Sequence, residues 1–125
     1  MTVAEIKNLV MHQTNNDADD LGDFLPYLMD YINEGCDLLL YARDKTHISD
    51  KLKLAKDSDE PDLPLWTHKA IADWATWLVY RNGNPQKQQR GYAFRSAFLD
   101  VSSALKEQGA DGSGAKISKF RNIPW

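Results

Sequence analysis

Apolar residues recur at three- and four-residue spacing in four stretches of the chain, and polar stretches separate them. The first stretch, Ile6, Leu9 and Val10, predicts a helix over residues 3 to 14. Thr2-Val3-Ala4-Glu5 reads as a capping box at its start, in which hydroxyl and carboxylate each satisfy a free amide of the other residue. Asn15 and Asn16 are the expected stop residues. The second helix is expected to begin at Asp20 to Asp23, with Pro26 in its first turn, where a missing amide costs little. Leu25, Leu28, Ile32, Cys36 and Leu39 form its stripe, and Phe24, Tyr31, Leu38 and Tyr41 widen it. A stripe that broad predicts burial on more than one side. Gly35, in its middle, is expected to permit close helix approach.

A third helix is expected from Pro64 to Arg81, with Ile71, Trp74, Ala75 and Leu78 on its buried face. Trp66, Ala70 and Trp77 lie beside them. Asn82-Gly83-Asn84 supplies residues that tolerate positive φ, and Pro85 fits the first turn of a new helix, so helices three and four form a tight antiparallel hairpin. Helix four carries Phe94, Ala97, Phe98, Val101, Ala104 and Leu105 on one face, and Gly109 is expected to end it. No stretch shows strand alternation and no internal repeat is evident. The fold class is therefore all-α: a small antiparallel bundle of four helices.

Two segments stand outside the helical pattern. Residues 44–64 are polar and charged, and end in DSDEPDLP; they hold either a short helix near Ser49–Ala55 or a mobile loop, which is a plain exposed connection or a contact element. GADGSGAK, residues 109–116, reads as a flexible linker leading to ISKFRNIPW. The organisation read from the sequence is thus a helical domain over 1–108 and a docking tail over 109–125. A terminal Trp125 is either a docking anchor or a frayed end, and the anchor is favoured.

Composition changes the picture little: 125 residues, 42% hydrophobic and 26% charged, describe one ordinary globular domain. No apolar run approaches the roughly 18 residues of a membrane span, so no membrane role is expected. MTVAEIKNLVMHQ does not read as a signal peptide, and synthesis in the cytoplasm is expected. Charge says more. Residues 1–62 hold 14 acids and 6 bases, net −8, whereas residues 63–125 hold 4 acids and 9 bases, net +5. Such halves suit either copies that meet through complementary faces or two solvated faces of a monomer.

Candidate chemistry is sparse. His12, His47 and His68 lack metal-ligand spacing, and Cys36 is the only cysteine, so no disulfide, metal or cofactor is expected. Asp17, Asp19 and Asp20 open like a calcium loop, but the glycine and terminal Glu it needs are misplaced. The glycines of RNGNPQKQQRG match no phosphate-binding pattern. No catalytic residues are assigned and an enzyme is not expected. Arg81, Lys87, Arg90, Arg95, Tyr92, Asp30 and Glu34 are candidates for a subunit interface, the basic face meeting an acidic neighbour; the same bases could touch nucleic-acid backbone. Trp66, Trp74 and Trp77 read as core or interface residues, with base stacking as the other reading.

With helices three and four assembled, LPLWTHKAIADWATWLVYRNGNPQKQQRGYAFRSAF resembles the head–tail connector, or adaptor, proteins of tailed bacteriophages. TVAEIKNLVMHQTNNDADDLGDFLPYLMDYINEGCDLLLYA is similar to their opening pattern, so the resemblance covers residues 2 to 106. It implies a helical bundle assembling in rings of about twelve copies beneath the portal protein, in the neck of the virion. The ring would join portal to the stopper or tail-completion protein and extend the channel through which DNA passes unbound. Family members often grasp the portal with a C-terminal segment, which here assigns Ile117, Phe120, Arg121, Ile123 and Trp125 to portal binding. Two other readings stay open, a tail-completion protein and a sequence-independent DNA-binding protein of the packaging apparatus.

Overall fold

The structure, a computed structural model, describes residues 1–14, 24–44 and 54–114, with side chains of the last helix as far as residue 108. Four α-helices and no strand are present among the described residues: α1 Val3–Gln13, α2 Leu28–Arg43, α3 His68–Arg81 and α4 Pro85–Gly114. The all-α bundle read from the hydrophobic pattern is the observed fold.

α1 starts as expected. The Thr2 hydroxyl accepts from the Glu5 amide at 3.2 Å, and the Glu5 carboxylate accepts from the Thr2 amide at 2.8 Å. The hydrogen bond from Thr2 holds the Glu5 carboxyl below its ordinary value. Val3, Ile6 and Val10 are buried, and Thr14 ends the helix by donating its hydroxyl to the Val10 carbonyl at 2.8 Å. Asn15 and Asn16, expected as stop residues, lie outside the described residues, as do Asp20 to Asp23. Pro26 occupies a single 3-10 turn, Leu25–Tyr27, immediately before α2, where its missing amide breaks no helical bond.

The helix surrounded on several sides is α3 rather than α2. Eleven of the fourteen residues of α3 are buried, against seven of sixteen in α2. α1 runs parallel to α3, with Met1 near His68 and Gln13 near Thr76. α2 and α4 run antiparallel to it: on α2 Glu34 meets Trp74 while Arg43, at the helix end, donates to the Asp62 carbonyl ahead of α3, and Trp74 and Trp77 pair with Phe98 and Tyr92 on α4. The apolar wing of α2 therefore has less to pack against than its breadth predicts, and Leu38 and Tyr41 are 39% and 53% exposed. Trp66, expected beside the buried face of α3, is also exposed, in the 3-10 turn Leu65–Thr67 ahead of that helix.

The hairpin between α3 and α4 forms, but by another device than the one expected. No described residue has positive φ, glycine included. Side-chain amides fasten the turn instead. Asn84 caps α4 by accepting from the Lys87 amide at 3.0 Å, and Asn82 donates to the Leu78 carbonyl at 3.2 Å. Gln88 donates to the carbonyls of Arg81 and Gly83, both at 3.2 Å. The asparagine and glutamine content of RNGNPQKQ thus builds the corner itself.

α4 does not end at Gly109 but continues to Gly114, through the expected boundary between helical domain and linker. A glycine inside a helix costs about 1 kcal/mol relative to alanine, which weakens a helix without ending it. Ending it at a glycine usually takes the left-handed conformation, and no described glycine adopts that conformation.

Gly35 lies close to α3, as expected, but leaves room for a methyl group: a Cβ built there would lie 3.4 Å from Trp74 atoms and 3.6 Å from Ile71 Cα, at the near edge of ordinary contact. Gly35→Ala is expected to fit and to raise stability by up to about 1 kcal/mol through helix propensity alone, read by chemical denaturation. A drop in stability would show that α2 and α3 sit closer than this geometry.

Part of the segment 44–64 is structural. The stretch 54–64 straps across the start of α1, where the Val3 amide donates to the Asp59 carbonyl at 2.8 Å and the Ala4 amide to the Asp57 carbonyl at 3.0 Å. Two of the amides that any helix leaves unpaired at its N-terminus are satisfied this way. Lys7 pairs with Asp57 at 2.8 Å. The Asp59 carboxylate accepts from the Ala55 and Lys56 amides, both at 2.9 Å, which holds its carboxyl below the ordinary value. The short helix expected near Ser49–Ala55 falls mostly outside the described residues; Leu54 and Ala55 themselves are not helical.

Candidate interaction surfaces

Buried polar groups are the usual starting point for a reactive site, and here each is held within the fold. Asp73, 3% exposed at the centre of α3, accepts from Gln13 at 2.9 Å and from Lys69 at 3.0 and 3.1 Å. Gln13 in turn accepts from the Thr76 hydroxyl, so the group ties the end of α1 to α3. His68 is buried with both ring nitrogens engaged. Nε2 faces the Leu63 carbonyl at 2.9 Å and so carries the proton, which leaves Nδ1 to accept from the Met1 amine at 2.8 Å. Burial pushes the Cys36 thiol up to about 12, so it is protonated and unreactive at neutral pH. Among the described residues no three His, Cys, Asp or Glu side chains converge as metal ligands, and no helix is long and apolar enough to cross a membrane.

The residues read as a subunit interface are distributed over one end of the bundle and the outer side of α4. Arg81, Arg90, Tyr92 and Arg95 are exposed, and Lys87 is half-buried beside the turn. Tyr92 stacks on Trp77 with ring centroids 5.3 Å apart, which anchors it to α3 while leaving one face open. Asp30 and Glu34 are exposed on α2, and Glu34 accepts from Trp74 Nε1 at 2.7 Å. The Tyr31 hydroxyl titrates above its ordinary value chiefly because it is desolvated, and Arg81, Glu34 and Asp30 all bear on it. Asp30, Glu34 and Arg81 thus all act on one side chain of α2 within a single chain. Ile117, Phe120, Arg121, Ile123 and Trp125 lie outside the described residues.

The pattern of charges gave no hint of the most distinctive surface feature. Between α2 and α4 lies an open groove of about 340 Å³, walled by Leu38 and Tyr41 from α2, Trp74 from α3, and Phe98 and Leu99 from α4, with Lys106 on its lining. Leu99 is 41% exposed, so both outer walls present apolar surface to solvent. Its floor is fixed: Trp74 packs on Phe98 at a centroid distance of 4.6 Å, and the Glu34 hydrogen bond holds the indole in place. The sequence signal for it was the wide apolar stripe of α2, which called for a covering that the chain's own helices only partly supply. A volume near the lower end for small-molecule clefts, with so few polar groups, suits a few apolar side chains of a polypeptide.

Asn33 was not legible either. It sits on the buried side of α2 and grips the strap with both ends of its amide, donating to the Leu54 carbonyl at 3.0 Å and accepting from the Leu54 amide at 2.8 Å. A polar residue inside an apolar stripe was the available signal.

Compared with known proteins, the chain matches no family model, no curated protein and no solved structure.

Proposed function

We propose that the protein is a structural component of the neck of a tailed-bacteriophage virion, an adaptor whose copies form a ring between the portal and the stopper or tail-completion protein. The observation that carries this reading is the helical order ending in the RNGNPQKQQRG hairpin, on which the resemblance rests. Two features support it. Asp73, His68 and Asn33 are bonded within the fold, and the surface offers an apolar groove and exposed aromatic residues, which suits contact with protein rather than turnover of a substrate. The acidic first half and basic second half suit head-to-tail contact of copies around a closed ring. DNA would pass through the channel without specific binding, and neither a cofactor nor an enzymatic step belongs to the reading.

Co-sedimentation with the portal protein encoded in the same genome tests it. Binding of the full-length chain is the expected result, and comparison with a chain truncated after Gly114 measures what the tail contributes. Absence of portal binding, combined with DNA affinity that falls steeply with salt, would replace this reading with the DNA-binding one.

A further inference from the structure

We propose that Asn82, at the α3–α4 corner, is a site of spontaneous deamidation whose rate is set by how often that corner opens. The modification stands independently of the neck reading.

The sequence singles out this residue. Asn82 is the only asparagine of the chain followed by glycine. The reaction begins when the backbone nitrogen of the following residue gives up its proton to solvent and attacks the carbonyl carbon of the asparagine side chain. A new C–N bond closes a five-membered succinimide ring. The bond to the side-chain nitrogen breaks, and that nitrogen takes up a proton and leaves as ammonia. Water then opens the ring at either carbonyl, giving aspartate or isoaspartate, so the net change is water consumed and ammonia released. Glycine offers the least hindered nitrogen for the attack because it has no Cβ. Asn84 is followed by Pro85, whose ring nitrogen carries no proton to give up. Asn8 and Asn33 lie inside α1 and α2, and the residues after them, Leu9 and Glu34, both carry a Cβ.

The structure supplies the control. Asn82 is exposed, so solvent reaches it. Its φ is −90° and its ψ 2°, which eclipses the Gly83 nitrogen with the backbone nitrogen of Asn82. Ring closure needs the Gly83 nitrogen eclipsed with Cβ instead, so the peptide must first turn about the Cα–C bond. That turn breaks the hydrogen bond from the Gly83 amide to the Tyr80 carbonyl, 2.9 Å long. The Asn82 side chain is tied as well, to the Leu78 carbonyl at 3.2 Å, and Gln88 grips the carbonyls of Arg81 and Gly83 on either side. Attacking and attacked groups are both held in the closed corner, and a local opening releases them together. The product differs from its precursor in two ways. A carboxylate cannot donate to the Leu78 carbonyl, and it stands at the negative end of α3. It also sets an acid within residues 81–95, which hold four bases and no acid, and so lowers the charge of the face read as a subunit interface.

Incubation of the full-length protein in mildly alkaline buffer, natively and in urea, tests the proposal, with peptide mass spectrometry and isoaspartate detection at intervals. In urea Asn82 is expected to react faster than every other asparagine. In the native state it is expected to react more slowly by about tenfold or more, the fraction of time the corner is open. Hydrogen exchange at the Gly83 amide reads the same opening on the same nitrogen, with no substitution needed. Its protection should match the slowing of deamidation to within about threefold. Gln88→Ala, checked for folding by circular dichroism, should speed native deamidation and Gly83 exchange by the same factor and leave the rate in urea unchanged. Equal native and urea rates overturn the proposal, because the corner then exerts no control. So does another asparagine that reacts first in urea. Deamidation and Gly83 exchange that respond differently, in the wild type or in Gln88→Ala, also overturn it, because the two then do not share an opening.

Discussion

Gly91→Ala is expected to destabilise the protein by about 2–3 kcal/mol, although alanine is the better helix former. A Cβ built at Gly91 would lie 2.7 Å from Trp77 Cε3 and 2.9 Å from Tyr80 Cβ. The first atom belongs to an indole stacked on Tyr92, and the second is fixed to the backbone of α3, so neither can swing aside as a long flexible chain would. Relief requires α3 and α4 to move apart, which also loosens the Tyr80–Phe94 pairing at 6.2 Å. At roughly 3–6 °C per kcal/mol for a domain of this size, the midpoint of thermal unfolding should fall by about 6–18 °C. Tryptophan fluorescence of the native state should shift as well. An unchanged midpoint would mean that the helices do not approach each other at this position.

Asn33→Ala is expected to cost about 2–6 kcal/mol, because it leaves the Leu54 amide and carbonyl unpaired in a buried site, at about 1–3 kcal/mol for each group. Asn33→Asp separates the two halves of the grip. It keeps the acceptor for the Leu54 amide but sets an oxygen against the Leu54 carbonyl, and should be no milder. The distinguishing readout is hydrogen exchange at Val3 and Ala4, whose amides bond the strap at Asp59 and Asp57. Release of the strap should speed exchange at these two positions more than in the centre of α3. Equal acceleration everywhere would show that Asn33 serves global stability and does not hold the strap in particular.

The sequence and the structure agree where a local rule decides the outcome. Thr2 and Glu5 cap α1 because the motif is complete within four residues, and Pro85 opens α4 because its ring suits a first turn. They part where the outcome depends on what arrives from elsewhere in the chain. Gly35 and Gly91 look alike in sequence, yet only Gly91 meets atoms that a methyl group would strike. Which helix becomes the centre of a bundle depends on how many others pack on it. The breadth of the α2 stripe therefore named the wrong helix while recording a real surface, the groove wall at Leu38 and Tyr41. Asn33 was invisible because its partner is a backbone twenty-one residues away, which no side-chain pattern encodes. The interface candidates Arg81, Asp30 and Glu34 were found by charge, but charge could not show that they share one neighbourhood around Tyr31.

The strap over α1 also imposes an order in time. The first helical amides, at Val3 and Ala4, find their partners only at Asp59 and Asp57. During synthesis at about 5–20 residues per second, those partners are made some 3–11 seconds later. Until then the capping box alone must hold the first turn of α1, and its apolar face at Val3, Ile6 and Val10 has no α3 to cover it. The N-terminal helix is thus completed only once the strap and α3, more than fifty residues further along the chain, have been made.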